Sequence, residues 1–391
     1  MKKLLIILLF IPLFIQAQFS GGSGTSSDPY QIASAVQLDS VRNHLSSYYI
    51  LNNDIDLSGY GDWTPIGYTY PATNNFSGYL NGNGKTISNM RITSMHYDSL
   101  YHHSELGLFA YYSGGINNLT LYHCSIIISD AGTGIMEYNY ITVGLLAPGS
   151  TTGGMQSFHI RDCNIDITLA DGHYYGVNAW GVTSFGNTFA VEYKKCSSIG
   201  LNISIHNTYI SPQAINISGL FNSAGRPGVS ECFVDSTTLY CSAGVSNSYV
   251  QGIGSSQEIR NCYSRVKING GNPLVSCGFS TTVNADSNCY SVPTMLSTPV
   301  DGFANYYLVN ASSCYFDSTV AGGNRDGAEG GATPRAYPKS TSQMKTQGTF
   351  TGWDFVNIWK IDPNANDGYP YLRNNPPYIA PTVSKRLRIR K

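Results

Sequence analysis

The chain of 391 residues carries 23 Lys and Arg against 24 Asp and Glu, only 12% of it is charged, and Gly and Tyr number 41 and 29. Seven of the basic residues lie at Lys2, Lys3 and in the last seven positions, which leaves 16 basic against 24 acidic groups in the body, a net of −8. That sign excludes a nucleic-acid partner held by phosphate attraction, and low charge with abundant Gly, Ser, Asn and Tyr fits an extracellular β-rich repeat protein better than a cytosolic enzyme.

At the start, Lys2-Lys3 precede twelve apolar residues from Leu4 to Ile15 and then Gln16-Ala17-Gln18. This is the layout of a secretory signal peptide over 1–17, its apolar run too short to span a membrane, with cleavage expected after Ala17. The expectation is a secreted or cell-surface protein with no integral span in the mature chain.

Residues 18–106 read as an N-terminal cap and first coil. Ser34-x-x-Gln37 is a capping-box pattern that opens a short helix, with Ala35, Leu38, Val41 or Arg42, and Leu45 along one face. Strand patterning follows in Tyr48–Leu51 and Ile55–Leu57, and Trp63–Gly67 and Phe76–Ile87 lead into the coils.

Over 107–323 a repeat takes over. Gly107, Gly144, Gly181, Gly219, Gly252, Gly278 and Gly302 each precede an apolar residue. Each is trailed 10 to 19 positions later by a cysteine, in order Cys124, Cys163, Cys196, Cys232, Cys262, Cys289 and Cys314. Around them apolar residues alternate, as in Ile165-Asp166-Ile167-Thr168-Leu169, which is the period of a strand with one buried face. The glycine intervals of 37, 37, 38, 33, 26 and 24 shrink too far for propeller blades of four strands. A parallel β-helix accommodates them, because its loops leave the axis; about eight to ten coils at ~4.8 Å each are expected.

Nine cysteines in an exported chain ordinarily suggest disulfides, but the count is odd and the placement regular. Stacked in one row at the rung spacing, seven of them form a ladder of reduced, buried thiols. Cys241 and Cys277 fall outside the row and are the candidates for a bridge or a reactive thiol. Residues 324–373 hold a Gly/Ala/Pro-rich loop and then Trp353, Trp359 and several other aromatics, read as a lid over the last rung. The basic stretch 374–391 reads as a disordered tail.

The two ends and the Gly-Leu-Phe-Ala units between them resemble the GLUG-motif proteins, over about 21–373. The specific parts are Pro29–Ile32, Asn53–Leu57, Trp63–Gly67, Gly352–Phe355 and Tyr369–Leu372. The resemblance implies a right-handed parallel β-helix and an exported, adhesin-like role. In some relatives the motif accompanies an immunoglobulin-cleaving metallopeptidase.

No catalytic, cofactor-binding or metal site is assigned from the sequence. A zinc peptidase needs His-Glu-x-x-His, which is absent, and His102-His103 with Glu105 offers no fixed ligand geometry. Asp54 and Asp56 alternate as a carboxylate pair could, yet their place in the cap favours structural hydrogen bonds. Asp171 and His173 share a turn without a second acid. Asp362–Gly368 begins like a calcium loop, but its glycine comes one place late and its twelfth position is Arg373. Asn75, Asn118, Asn202, Asn216 and Asn310 sit in glycosylation-like sequons that carry little weight, since the leader and the resemblance imply a bacterial source.

The expectation is an all-β parallel β-helix that is a non-enzymatic monomer binding glycans or surface proteins through loops and tyrosine faces. The alternative is a polysaccharide lyase or hydrolase, marked by carboxylates, or a carboxylate with Lys or Arg, converging in a groove. A thiol redox or metal-buffering protein is a third, weaker reading.

Overall fold

The computed structural model describes residues 18–377 apart from 68–73, 96, 99–102, 131–138, 151–152, 170–173, 186–191, 208–213, 224–227, 243–247, 271–274, 296–300, 309–310 and 327–335. The expected leader and most of the basic tail lie outside the described residues.

Alternating segments form strands that stack in parallel, each on its counterpart one coil away, and build a β-solenoid. One column runs inward through Tyr49, Leu80, Ile116, Met155, Tyr193, Val229 and Ile259, all buried. A second runs through Ile55, Ile87, Leu121, Ile160, Ser198, Val234, Ser264, Ser291 and Phe316. A third stacks Ile92, Ile126, Ile165, Ile203, Leu239 and Ile268. A separate sheet closes the coil with Leu106, Val143, Ala179, Ile217 and Val250. Stacking like on like buries every inward side chain between two neighbours, so the core is continuous along the axis.

The chain turns between columns at left-handed residues. At the corner between the first and second columns these are Asn118, Ser157, Lys195, Glu231, Asn261, Asn288 and Ser313; between the second and third they are Asn89, His123, Asp162, Gly200 and Ser236, with φ from 51° to 66°. A single αL residue bends the strand, and the next residue points inward. Those next residues are Leu119, Phe158, Cys196, Cys232, Cys262, Cys289 and Cys314 at one corner and Met90, Cys124, Cys163, Leu201 and Thr237 at the other, all buried.

The seven repeat cysteines therefore do not share one row. Cys124 stacks on Cys163, whose Sγ accepts its N–H at 3.3 Å, and that stack continues into Leu201. Cys196 begins the other stack on Cys232 and Cys262, with the same N–H to Sγ bonds at 3.3 Å. The Gly-to-Cys spacing mixed two corners of the coil. None of the nine cysteines is in a disulfide and all are buried. Cys241 is an inward residue of the third column beneath Ile205, not an outlying thiol, and burial pushes its pKa up to about 11.

The repeat glycines do form one row, for want of space. A Cβ on Gly278 would lie 2.7 Å from the Gly302 carbonyl oxygen, and at Gly107, Gly181, Gly219 and Gly252 the next glycine's oxygen is closer still.

At the top the helix Ala35–Asp39 and the 3₁₀ turn Ser40–Asn43 cover the first coil with Leu38 and Val41. Ser34 Oγ accepts from Gln37 N at 3.4 Å, as the capping pattern predicts. Trp63, fully buried, donates its indole N–H to Leu108 O at 3.1 Å.

The aromatic C-terminal segment does not lie over the end rung. It straps the outer face of the second column, where the outward row reads Thr86, Thr120, His159 and Ser197 and then changes to Phe233, Tyr263, Tyr290, Tyr315 and Tyr337. Phe233, Tyr263 and Tyr290 stack nearly coplanar, with centroids 4.7 and 5.1 Å apart. Met344, Phe350, Trp353, Trp359, Tyr369 and Leu372 bury this ladder as a second core. Phe233, Tyr263, Tyr290 and Tyr315 would otherwise face water in register, and the strap removes them from it, while Tyr337 at the end of the row stays exposed. It also runs beyond the boundary expected at 373. Asn375 is buried and donates to Cys196 O at 3.3 Å and Glu231 O at 3.0 Å.

Candidate functional site

The outward face of the first column carries two adjacent rows. One reads Tyr48, Tyr79, Gly115, Gly154, Glu192, Gly228 and Glu258; beside it run Ile50, Asn81, Asn117, Gln156, Lys194, Ser230 and Arg260. Tyr48 and Tyr79 stack with ring centroids 5.9 Å apart and 26° between planes. Tyr79 leans down the axis onto the bare backbone of Gly115, where a Cβ would meet its ring at 2.6 Å. Asn117 Nδ2 donates to the Tyr79 hydroxyl and Asn117 Oδ1 accepts from Gln156 N at 2.8 Å, which fixes the ring's tilt.

Below the ring, Gly154 leaves a notch. A groove of about 360 Å³ opens there, lined by Tyr79, Asn117, Gly154, Gln156, Glu192 and Lys194. A smaller one of about 180 Å³ continues above it past Tyr48, Tyr79 and Asn81. Both are lined by Tyr79, and this face, the trough, carries an aromatic platform at its upper part and hydrogen-bonding groups below. Glu192 Oε1 accepts from Ser230 Oγ at 2.6 Å, and Lys194 Nζ lies 3.3 Å from Glu231 Oε1. A carboxylate and a lysine thus share the groove. Neither of them stands out in linear motif reading; the signal was the pair of Tyr-then-Gly positions, visible only once the register was known.

The sequence candidates fall elsewhere. Asp54 Oδ1 accepts from Thr86 N at 2.8 Å. Asp56 takes Asn89 Nδ2 at 2.8 Å and Ser58 N at 2.9 Å, and these donors hold its pKa below the ordinary carboxylate value. Both aspartates pin the first coil. His102, Asp171 and His173 lie outside the described residues. Among the described residues no group of three or more His, Cys, Asp or Glu is placed to hold a metal.

The calcium-like loop is engaged by a cation of the protein's own. Arg265 donates to Asn366 Oδ1 at 2.5 Å and pairs with Asp367, while its Nε lies 3.6 Å from Asp235. Burial raises the pKa of Asp235, against the opposing pull of Arg265. Asn366 Nδ2 donates to the Tyr290 hydroxyl at 3.0 Å, and the Tyr369 hydroxyl donates to buried Asp317 at 2.7 Å. The polar groups of this cluster clamp the strap to the ladder.

No family model matches the chain. It is 39% identical over 112 residues to the "Putative Gly-rich membrane protein" of Evansella cellulosilytica, covering 26% of this chain and 12% of that one. It is 34% identical over 150 residues to halomucin of Haloquadratum walsbyi, covering 34% of this chain and 2% of that one. The matches thus span a small part of either relative's length. Among solved structures, the "putative immunoglobulin A1 protease from Bacteroides ovatus" aligns over 91% of this chain and 95% of its own, with a TM-score of 0.40 and 16% identity.

Proposed function

We propose that this chain is an exported, cell-surface β-solenoid of the GLUG-motif type that binds glycans without cleaving them. The observation that carries this reading is the trough of stacked Tyr48 and Tyr79 beside the amides of Asn117 and Gln156. A sugar ring presents an apolar C–H face that packs on an aromatic ring and an equatorial belt of hydroxyls that pairs with amides and carboxylates, which is the combination the trough offers. The signal-like leader and a relative named as a membrane protein support a surface location.

A glycan array probed with the full chain and with Tyr79→Ala tests it. Binding by the wild type that drops about tenfold or more in the variant, a loss of ~1.4 kcal/mol, is the expected result. Equal binding by both would remove the trough from the reading.

The presence of both Glu192 and Lys194 in the groove lining favours a second reading, a polysaccharide-cleaving enzyme with Glu192 as acid or base. Release of reducing ends or unsaturated products, abolished by Glu192→Gln, would establish it over the first.

A further inference from the structure

We infer that the trough takes a neutral, linear glycan laid parallel to the solenoid axis, crossing the rungs rather than running along one strand. This rests on the glycan-binding reading and adds orientation and ligand class to it.

Orientation follows from register. The lining residues come from successive coils at equivalent positions, Tyr48, Tyr79, Gly115, Gly154 and Glu192 in one row and Asn81, Asn117, Gln156 and Lys194 in the other. Tyr79 lines both grooves, so the two follow one another along the axis on the same face. From Tyr48 to Glu192 is four rung steps, about 19 Å at ~4.8 Å each, a track several sugar rings long and about one ring wide. Tyr48 lies at its upper end and touches only a ligand long enough to pass Tyr79.

Ligand class follows from charge. Lys194 is the one cation lining the track among the described residues, and it is held by Glu231 at 3.3 Å. The next cation down, Arg260, is paired with Glu258 at 2.7 Å. Glu192 has a hydroxyl partner, Ser230, and its carboxyl group lines the groove. A uronate, sulfate or phosphate group would meet a carboxylate and an ammonium already neutralised, whereas sugar hydroxyls find an acceptor in Glu192 and both a donor and an acceptor in the Gln156 amide.

The test is calorimetric titration of the full chain with neutral β-linked gluco- and manno-oligosaccharides from one to six residues, alongside oligouronates of equal length. Affinity is expected to rise at least tenfold between the mono- and tetrasaccharide and then level off. Tyr48→Ala should weaken the tetrasaccharide severalfold more than the disaccharide, while Tyr79→Ala weakens both alike. Tyr48 is exposed, and an unchanged melting temperature verifies that its variant is folded. Neutral-sugar affinity independent of length, or a Tyr48→Ala variant equal to wild type throughout, overturns the axial track alone. Tighter binding of oligouronates overturns the ligand class. Absence of binding to any glycan sinks this inference together with the reading it rests on.

Discussion

Gly219 has no room for a methyl group: its Cβ would overlap the carbonyl oxygen of Gly252 and meet Val234 Cγ1 at 3.0 Å. Because the neighbour is backbone, relief requires separating two rungs. Gly219→Ala is expected to cost about 1–3 kcal/mol, read as a lowered denaturant midpoint, while Gly323→Ala in open space changes little. His159 offers a different probe. Its ring is half-buried, with Nδ1 2.8 Å from Ser197 Oγ, and desolvation with Arg161 nearby lowers its pKa to about 4. In the unfolded chain the group titrates near 6.5, so between these values the unfolded state takes up a proton that the native state refuses. This contribution to stability is intact above about pH 6.5 and fades as the pH falls towards 4. Unfolding of wild type and His159→Gln at pH 7 and 4.5 should show the variant losing less, by on the order of 2 kcal/mol. At this scale the glycine row was legible in the sequence, because only one residue type fits beneath a carbonyl. The cysteine row was misread. Cysteine follows a left-handed corner residue wherever a small apolar filler is wanted, and Leu119, Phe158, Met90 and Leu201 fill equivalent places, so residue identity does not mark which corner is which.

Strands were the most legible elements, since their period of two survives any error in coil register. The strap was located but assigned to the wrong surface. Its signal was present in the residue after each cysteine of one corner, polar in Cys196-Ser197 but aromatic in Cys232-Phe233, Cys262-Tyr263, Cys289-Tyr290 and Cys314-Tyr315. An outward aromatic on four successive rungs demands a cover on the side of the solenoid, not on its end. Trp359 is fully buried against Tyr263 and Tyr290. Trp359→Ala should cost about 3–5 kcal/mol and leave the ladder open to water. Binding of a hydrophobic dye by the folded variant checks this, and unchanged stability would mean that the strap is dispensable. The trough was not legible as an element at all. Tyr48, Tyr79, Gly115 and Gly154 become neighbours only through rungs of 31 to 39 residues, and no local pattern announces that register.

A solenoid of stacked strands ends in two edges, and an uncovered edge invites another chain. The helical cap closes the top. Below, the second column ends in Tyr337–Lys339, where Tyr337 N–H is turned back to Cys314 O at 2.9 Å. Parallel strands alternate the direction of their polar groups, so the next N–H would face the free edge, and Pro338 has none. Pro338→Val restores that donor. Concentration-dependent association of the variant, measured by sedimentation, against a monomeric wild type is the expected outcome; two monomers would mean that other features guard the edge.

The anchoring of Asn375 bears on time as well as on shape. Its two acceptors, Cys196 O and Glu231 O, lie 179 and 144 residues earlier in the chain. Most other contacts join neighbouring coils, and a chain folding from its N-terminal end can lay these down in sequence, one coil templating the next. The last segment has no surface to dock on until the rungs carrying Phe233, Tyr263, Tyr290 and Tyr315 exist. It is therefore last to arrive and, lying outermost, first that must leave. The barrier to undoing the lower half of the rod is then set by peeling one strap from a stack of rings, and the lifetime of the folded protein is governed there rather than by the average strength of its coils.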